Sequence, residues 1–134
     1  MDHCQADALL VYNDVWYLNC LMQESRLANL LPSLRESIYV GISAGSMVTA
    51  PIFGEICDDP EPPFVIGKGR GLVDFALLPH LDHRNHPESS TAHVVRMAAG
   101  VPVPTHAIDH QTAIKVMDGT AEVVPEGRWQ LFMP

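Results

Sequence analysis

Five residues, Gly41-Ile42-Ser43-Ala44-Gly45, have the G-x-S-x-G spacing that exposes a nucleophile at the tip of a strained turn. That chemistry needs small neighbours, because the backbone must bend sharply at the serine without side-chain clashes. The helix expected to follow directs its free N–H groups at the same spot, where they favour developing negative charge. The five-residue pattern is common on its own. Its weight comes from its place between an apolar strand at 38–42 and a helical stretch at 47–50.

A serine nucleophile needs a base. His80 ends an apolar strand at 73–78, so it is expected to emerge at the carboxyl edge of the sheet, the edge that also carries Ser43. The remaining histidines (His3, His83, His86, His93, His106 and His110) fall in loops, on a helix or near strand ends, and read as surface or capping residues. A third group should orient the imidazole. Asp58 and Asp59, in the loop after the Ser43 helix, are alternatives to Asp109, which follows a strand at 107–108. His80, Asp82, His83 and His86 cluster in one loop, but a single segment without an H-x-x-x-H helix makes a poor zinc site. No metal and no other cofactor is expected.

These side chains require a scaffold that brings two strand ends together. Residues 8–12 (ALLVY) form a continuous apolar run, the pattern of a strand buried on both faces. Residues 15–35 read as helix, broken at Glu24-Ser25 with Ser25 capping the second piece, and Pro32 bends that piece. Strand, helix, strand, tight turn, helix is a βαβα order, which predicts an α/β fold: a mainly parallel sheet flanked by helices in three layers. Residues 57–71, with three prolines and three acids at 58–63, read as loop. A helix at 89–99 is expected to be capped by Ser89 or Ser90 and stopped by Gly100. Short strands follow at 107–108, 112–117, 122–124 and 129–132, with Asp118-Gly119 as a hairpin turn.

The 134 residues suit one compact domain, 1–134, and 47% hydrophobic with 18% charged residues describes a globular chain. A formal net charge of -8 argues against general affinity for nucleic acid, which needs clustered Lys and Arg. No apolar run approaches the roughly 20 residues of a membrane span, and residues 1–5 lack the pattern of a signal peptide. The odd set Cys4, Cys20 and Cys57 makes a poor disulfide framework. A soluble cytoplasmic protein is expected.

Residues 39–46 (YVGISAGS), then Pro79-His80, then a terminal strand pair around Asp118-Gly119 together resemble the C-terminal two thirds of peptidase family S51, the group containing dipeptidase E and cyanophycinase. The resemblance spans residues 6–132. It implies a fold similar to class I glutamine amidotransferases, with Ser43 as nucleophile, His80 as general base and Asp58 as the intervening acid. It also implies an oxyanion hole from the N–H groups of Ala44 and the Asn13 region, and a small peptide, such as one with an N-terminal aspartate, as substrate. Three departures follow. The family's N-terminal elements have no counterpart, so an open sheet face and a homo-oligomer, a dimer first, are expected. The family's glycine-rich turn reads Tyr12-Asn13-Asp14 here, so a residue with a side chain must adopt positive φ. That change makes a non-catalytic relative, serving assembly or ligand binding, the alternative. For the arginine that holds an aspartyl carboxylate in dipeptidase E, only Arg84 and Arg96 lie in the right region. A glutamine amidotransferase is excluded because none of the cysteines occupies the nucleophile turn.

Overall fold

The structure is a computed structural model that describes residues 7–33, 36–56 and 64–134. In chain order it contains β1 (Ala8–Val11), α1 (Val15–Glu24), α2 (Leu27–Leu30), β2 (Ile38–Gly41), α3 (Ala44–Met47), β3 (Ile52–Ile56), β4 (Phe64–Lys68) and β5 (Ala76–Leu78). Then follow α4 (Thr91–Ala99), β6 (Thr105–Ile108), β7 (Thr112–Met117), β8 (Thr120–Pro125) and β9 (Trp129–Phe132). β1 pairs with β2 in parallel, and β5 with β6, while β9 closes the second sheet antiparallel to β6. Parallel neighbours need a crossover, and α1–α2 and α4 supply the two crossovers. The fold is α/β.

α1 begins where Asp14 accepts a hydrogen bond from the Tyr17 N–H at 2.9 Å. Val15, Leu18 and Met22 recur on one helical face and meet Leu9, Val11 and Tyr39 of the β1–β2 pair. Phe53 and Val48 complete that core, and burying a side chain of Phe53's size contributes about 1.5–3 kcal/mol. The helical stretch breaks at the expected place: Ser25 closes α1, and Arg26 turns the chain with φ 61° before α2. A second core forms where Val94 and Met97 of α4 pack on Leu78, Ala107 and Phe132. Asp118 and Gly119, with φ 51° and 77°, make the predicted β7–β8 turn, as two-residue hairpins with both central residues at positive φ require.

Three expectations change. The β1–β2 pair is buried on one face only: Leu10, Tyr12, Ile38, Val40 and Ile42 are 41–66% exposed on the other. Continuous apolar runs look the same whether one face is covered or two, and among the described residues helices cover one. Second, the stretch read as loop at 57–71 contains β4, which pairs antiparallel with β3. The prolines end at Pro63, and the Phe64-Val65-Ile66 run behind them suits a strand. Third, neither Ser89 nor Ser90 caps α4 through its side chain. Asp82 does, accepting from the Thr91 N–H and hydroxyl, both at 2.7 Å. Among the described residues no helix is long and apolar enough to cross a membrane.

Candidate active site

β2 runs straight into the serine turn. At Ser43 the backbone takes φ 52° and ψ -116°, outside the regions that residues with a side chain ordinarily occupy, and α3 starts at the next residue. Such a conformation costs on the order of 1–3 kcal/mol and persists only when its surroundings dictate it. Here the Ile42 N–H donates to the Val11 carbonyl at 2.9 Å, and the Gly45 N–H to the Ile42 carbonyl at 2.9 Å. The Ser46 hydroxyl donates to the Gly41 carbonyl and the Tyr39 hydroxyl to the Gly45 carbonyl, each at 2.6 Å. Burial pushes the Tyr39 phenol up to about 12, so it remains a donor across the physiological range. A Cβ on Gly41 would stand 2.6 Å from the Gly45 carbonyl oxygen, so the turn closes because both positions are bare.

His80 reaches the same spot from β5 through Pro79, with φ 65°. The Leu81 N–H, donating to the Ile108 carbonyl at 3.0 Å, pins the chain just beyond it. His80 Nε2 lies 2.7 Å from Ser43 Oγ across 37 residues of sequence. Burial disfavours the charged imidazole and holds its pKa below the ordinary value of 6.5. Positive charge on His86, His83 and His110 acts in the same direction, and Glu88 opposes it. A neutral His80 with an unprotonated Nε2 can take the serine proton.

The His80 ring stacks on His86 with centroids 4.0 Å apart and planes 11° from parallel. His86 Nδ1 in turn meets Glu88 Oε1 at 2.8 Å. Burial works against the charge on Glu88, yet hydrogen bonds from its own backbone N–H and from His86 hold its carboxyl below the usual range. A cavity of about 200 Å³ opens beside these groups. Val15, Met47, Leu78, Val94 and Met97 form its apolar wall; Asn13, Asp14, Ser43, His80, His86 and Glu88 supply the polar groups.

Ala44 also lines the cavity and is the first residue of α3, so its N–H has no intrahelical acceptor. Asn13 faces the same space with φ 150°, the positive value expected of the Tyr12-Asn13-Asp14 turn. Its side chain accepts from the Asp14 N–H at 2.8 Å, which removes that amide as a donor to a ligand.

The other sequence-predicted residues that the structure describes are not brought to Ser43. Asp58 and Asp59 lie outside the described residues. Asp109 makes no hydrogen bond to His80. Its Oδ1 accepts from the Gln111 N–H at 3.0 Å and the Thr112 hydroxyl at 2.9 Å, and its Oδ2 accepts from the Arg128 N–H at 2.7 Å. Although burial raises its pKa, those bonds lower it further, as befits a turn-binding carboxylate. Arg84 and Arg96 are exposed and line no part of the cavity; Arg96 stands in the last turn of α4, where a cation complements the helix dipole. Asp82 is occupied by Thr91 and by an ion pair to Arg128 at 3.0 Å. No group of three metal-ligating side chains occurs among the described residues. His86 and Glu88, read from sequence as surface residues if at all, belong to the cavity. The short 3-10 turn at Pro87–Ser89 folds them back onto His80, and nothing in the local pattern signals that approach.

Comparison with known proteins agrees with this fold. The profile of peptidase family S51 matches residues 15–124. A crystal structure of a "Putative Peptidase E Protein" from Listeria monocytogenes EGD-e is similar with a TM-score of 0.65, at 19% sequence identity over 89% of this chain. The chain spans 59% of the length of that protein's chain, and the likeness is one of fold. No curated protein matches the chain.

Proposed function

The chain belongs to peptidase family S51, and on that premise we propose that it hydrolyses small peptides with Ser43 as nucleophile and His80 as base. The observation that carries this reading is the 2.7 Å contact between Ser43 Oγ and His80 Nε2 at the tip of a strained strand-to-helix turn. As Ser43 Oγ attacks the scissile carbonyl, its proton passes to His80 Nε2. The carbonyl oxygen becomes an oxyanion facing the N–H groups of Ala44 and Asn13. His80 then returns the proton to the departing amine, and water releases the acyl group by the same steps in reverse order. A cavity of about 200 Å³, below the roughly 300–1,000 Å³ of drug-sized pockets, suits a one- or two-residue segment.

A fluorophosphonate probe tests the reading directly. It is expected to label the folded protein at Ser43, and absence of labelling would remove the nucleophile assignment. The rate of labelling should also follow the protonation of His80. Since burial first, and then the neighbouring imidazoles, lower its pKa, the neutral base persists below pH 6.5. The rate is expected to hold through neutral pH and fall only as acidification passes that lowered pKa. An acid limb centred at or above 6.5 would contradict this.

The exposed strand face favours a second reading, in which the domain also serves assembly. Leu10, Tyr12, Ile38, Val40 and Ile42 present apolar surface on paired parallel strands, and a second copy of the chain is the proposed cover. Sedimentation equilibrium should show a homodimer at micromolar concentration, reduced by Val40→Lys. A monomer at that concentration would dismiss it.

A further inference from the structure

The cavity beside Ser43 has an unbalanced set of charges. Two carboxylates line it, Asp14 and Glu88, together with the imidazoles of His80 and His86. Among the described residues no lysine or arginine lines it. The two arginines nearest in sequence to the cavity's polar loop, Arg84 and Arg96, are exposed elsewhere. An anionic substrate side chain entering here would meet no permanent cation among the described residues. It would face the carboxylates of Asp14 and Glu88 across a small space walled by Leu78, Val94 and Met97.

Of the two acids, Glu88 is the one joined to the nucleophile by side-chain contacts. Asp14 is tied to the start of α1, where its Oδ1 accepts from the Tyr17 N–H. Glu88 takes a hydrogen bond from its own backbone N–H and bonds through Oε1 to His86, while His86 is fixed against His80 by the 4.0 Å ring stack. The chain Ser43–His80–His86–Glu88 thus sets a carboxylate at a constant position relative to the nucleophile.

We propose that Glu88 is a specificity-determining residue that selects peptides whose amino-terminal residue carries a cationic side chain and disfavours those beginning with an acidic residue. The substrate ammonium or guanidinium lies against Glu88 while its carbonyl carbon faces Ser43 Oγ. This deepens the reading of the Ser43 cavity as a peptide site and rests on it. An exposed ion pair gives up to about fivefold in affinity, so exchanging attraction for repulsion gives about tenfold.

Binding to the Ser43→Ala protein, in which nothing is turned over, tests this without requiring activity. Calorimetry with lysinamide, alaninamide and aspartic acid α-amide is expected to rank them in that order, with lysinamide about tenfold tighter than the aspartyl amide. In the Ser43→Ala/Glu88→Gln protein the lysinamide advantage should fall to about twofold or less, with alaninamide little changed. Raising the salt should compress the ranking in the parent but not in the Gln variant. Equal or tighter binding of the aspartyl amide, a ranking unmoved by Glu88→Gln, or no binding of any of the three overturns the proposal. Fluorophosphonate labelling of the unsubstituted protein reports on Ser43 separately, so labelling with the wrong ranking defeats the specificity claim alone.

Discussion

Replacing Ser43 by alanine is expected to lower kcat/KM for any hydrolysed peptide by about 10⁴–10⁶-fold, as loss of a serine nucleophile does elsewhere. His80→Ala should cost nearly as much, and the double variant hardly more than either single one. The reason is the shared event: the 2.7 Å contact carries one proton transfer, so removing either partner removes the same step. Independent effects would multiply instead, and a double variant slower by the product of the singles would argue against a joint role. Folding should survive both changes, because among the described residues the Ser43 hydroxyl bonds only to His80 and that bond is half-buried. The backbone supplies a further control. Ser43 holds φ 52° and ψ -116°, so Ser43→Gly should relieve strain worth on the order of 1 kcal/mol or more and melt higher than Ser43→Ala. Undiminished hydrolysis in Ser43→Ala would end the proposal.

Ser43 and His80 were legible in the sequence for one reason: both sit where an apolar strand ends. Strand ends are set by local pattern, and although β2 and β5 belong to different sheets, α3 packs against both and their carboxyl ends meet. The Asp118-Gly119 turn was legible likewise, since positive φ at both positions is written in the residue types. What escaped depends on contacts between segments. Asp82 caps α4 from nine residues upstream in place of the serines next to it, because Asp82 itself turns at φ 52° and the loop returns on itself. Glu88 reaches the cavity through a ring stack between two histidines, which no spacing rule encodes. Asp109 looked like a catalytic acid because it follows a strand. A carboxylate there serves equally well to gather the N–H groups of Gln111 and Arg128. The open face of β1–β2 escaped for a different reason. An apolar residue declares a preference for burial, and whether anything covers it depends on surface supplied from elsewhere.

The same turn predicts the largest loss of stability from a single methyl group. A Cβ built on Gly45 would lie 1.8 Å from the Val11 carbonyl oxygen and 2.5 Å from its carbon. Both are backbone atoms of β1, and the Val11 carbonyl already accepts the Ile42 N–H at 2.9 Å. No side-chain rotation can relieve the overlap. Either β1 or the start of α3 must move, and each movement breaks the hydrogen bonds that hold Ser43 in its strained conformation. Gly45→Ala is therefore expected to cost about 3 kcal/mol or more, the upper range for overpacking, or to leave no soluble protein. Gly119→Ala provides the comparison. It places a methyl group in open space at φ 77°, so only conformational strain remains, about 1–2 kcal/mol. Thermal melts of the two variants separate steric closure from backbone preference. If Gly45→Ala melted no lower than Gly119→Ala, the close approach of α3 to β1 would not be what shapes the serine turn. If it melts far lower, glycine at 45 is there to let the nucleophile's helix touch the neighbouring strand, and the first and last residues of the G-x-S-x-G run act on packing while Ser43 and Ala44 between them act on substrate.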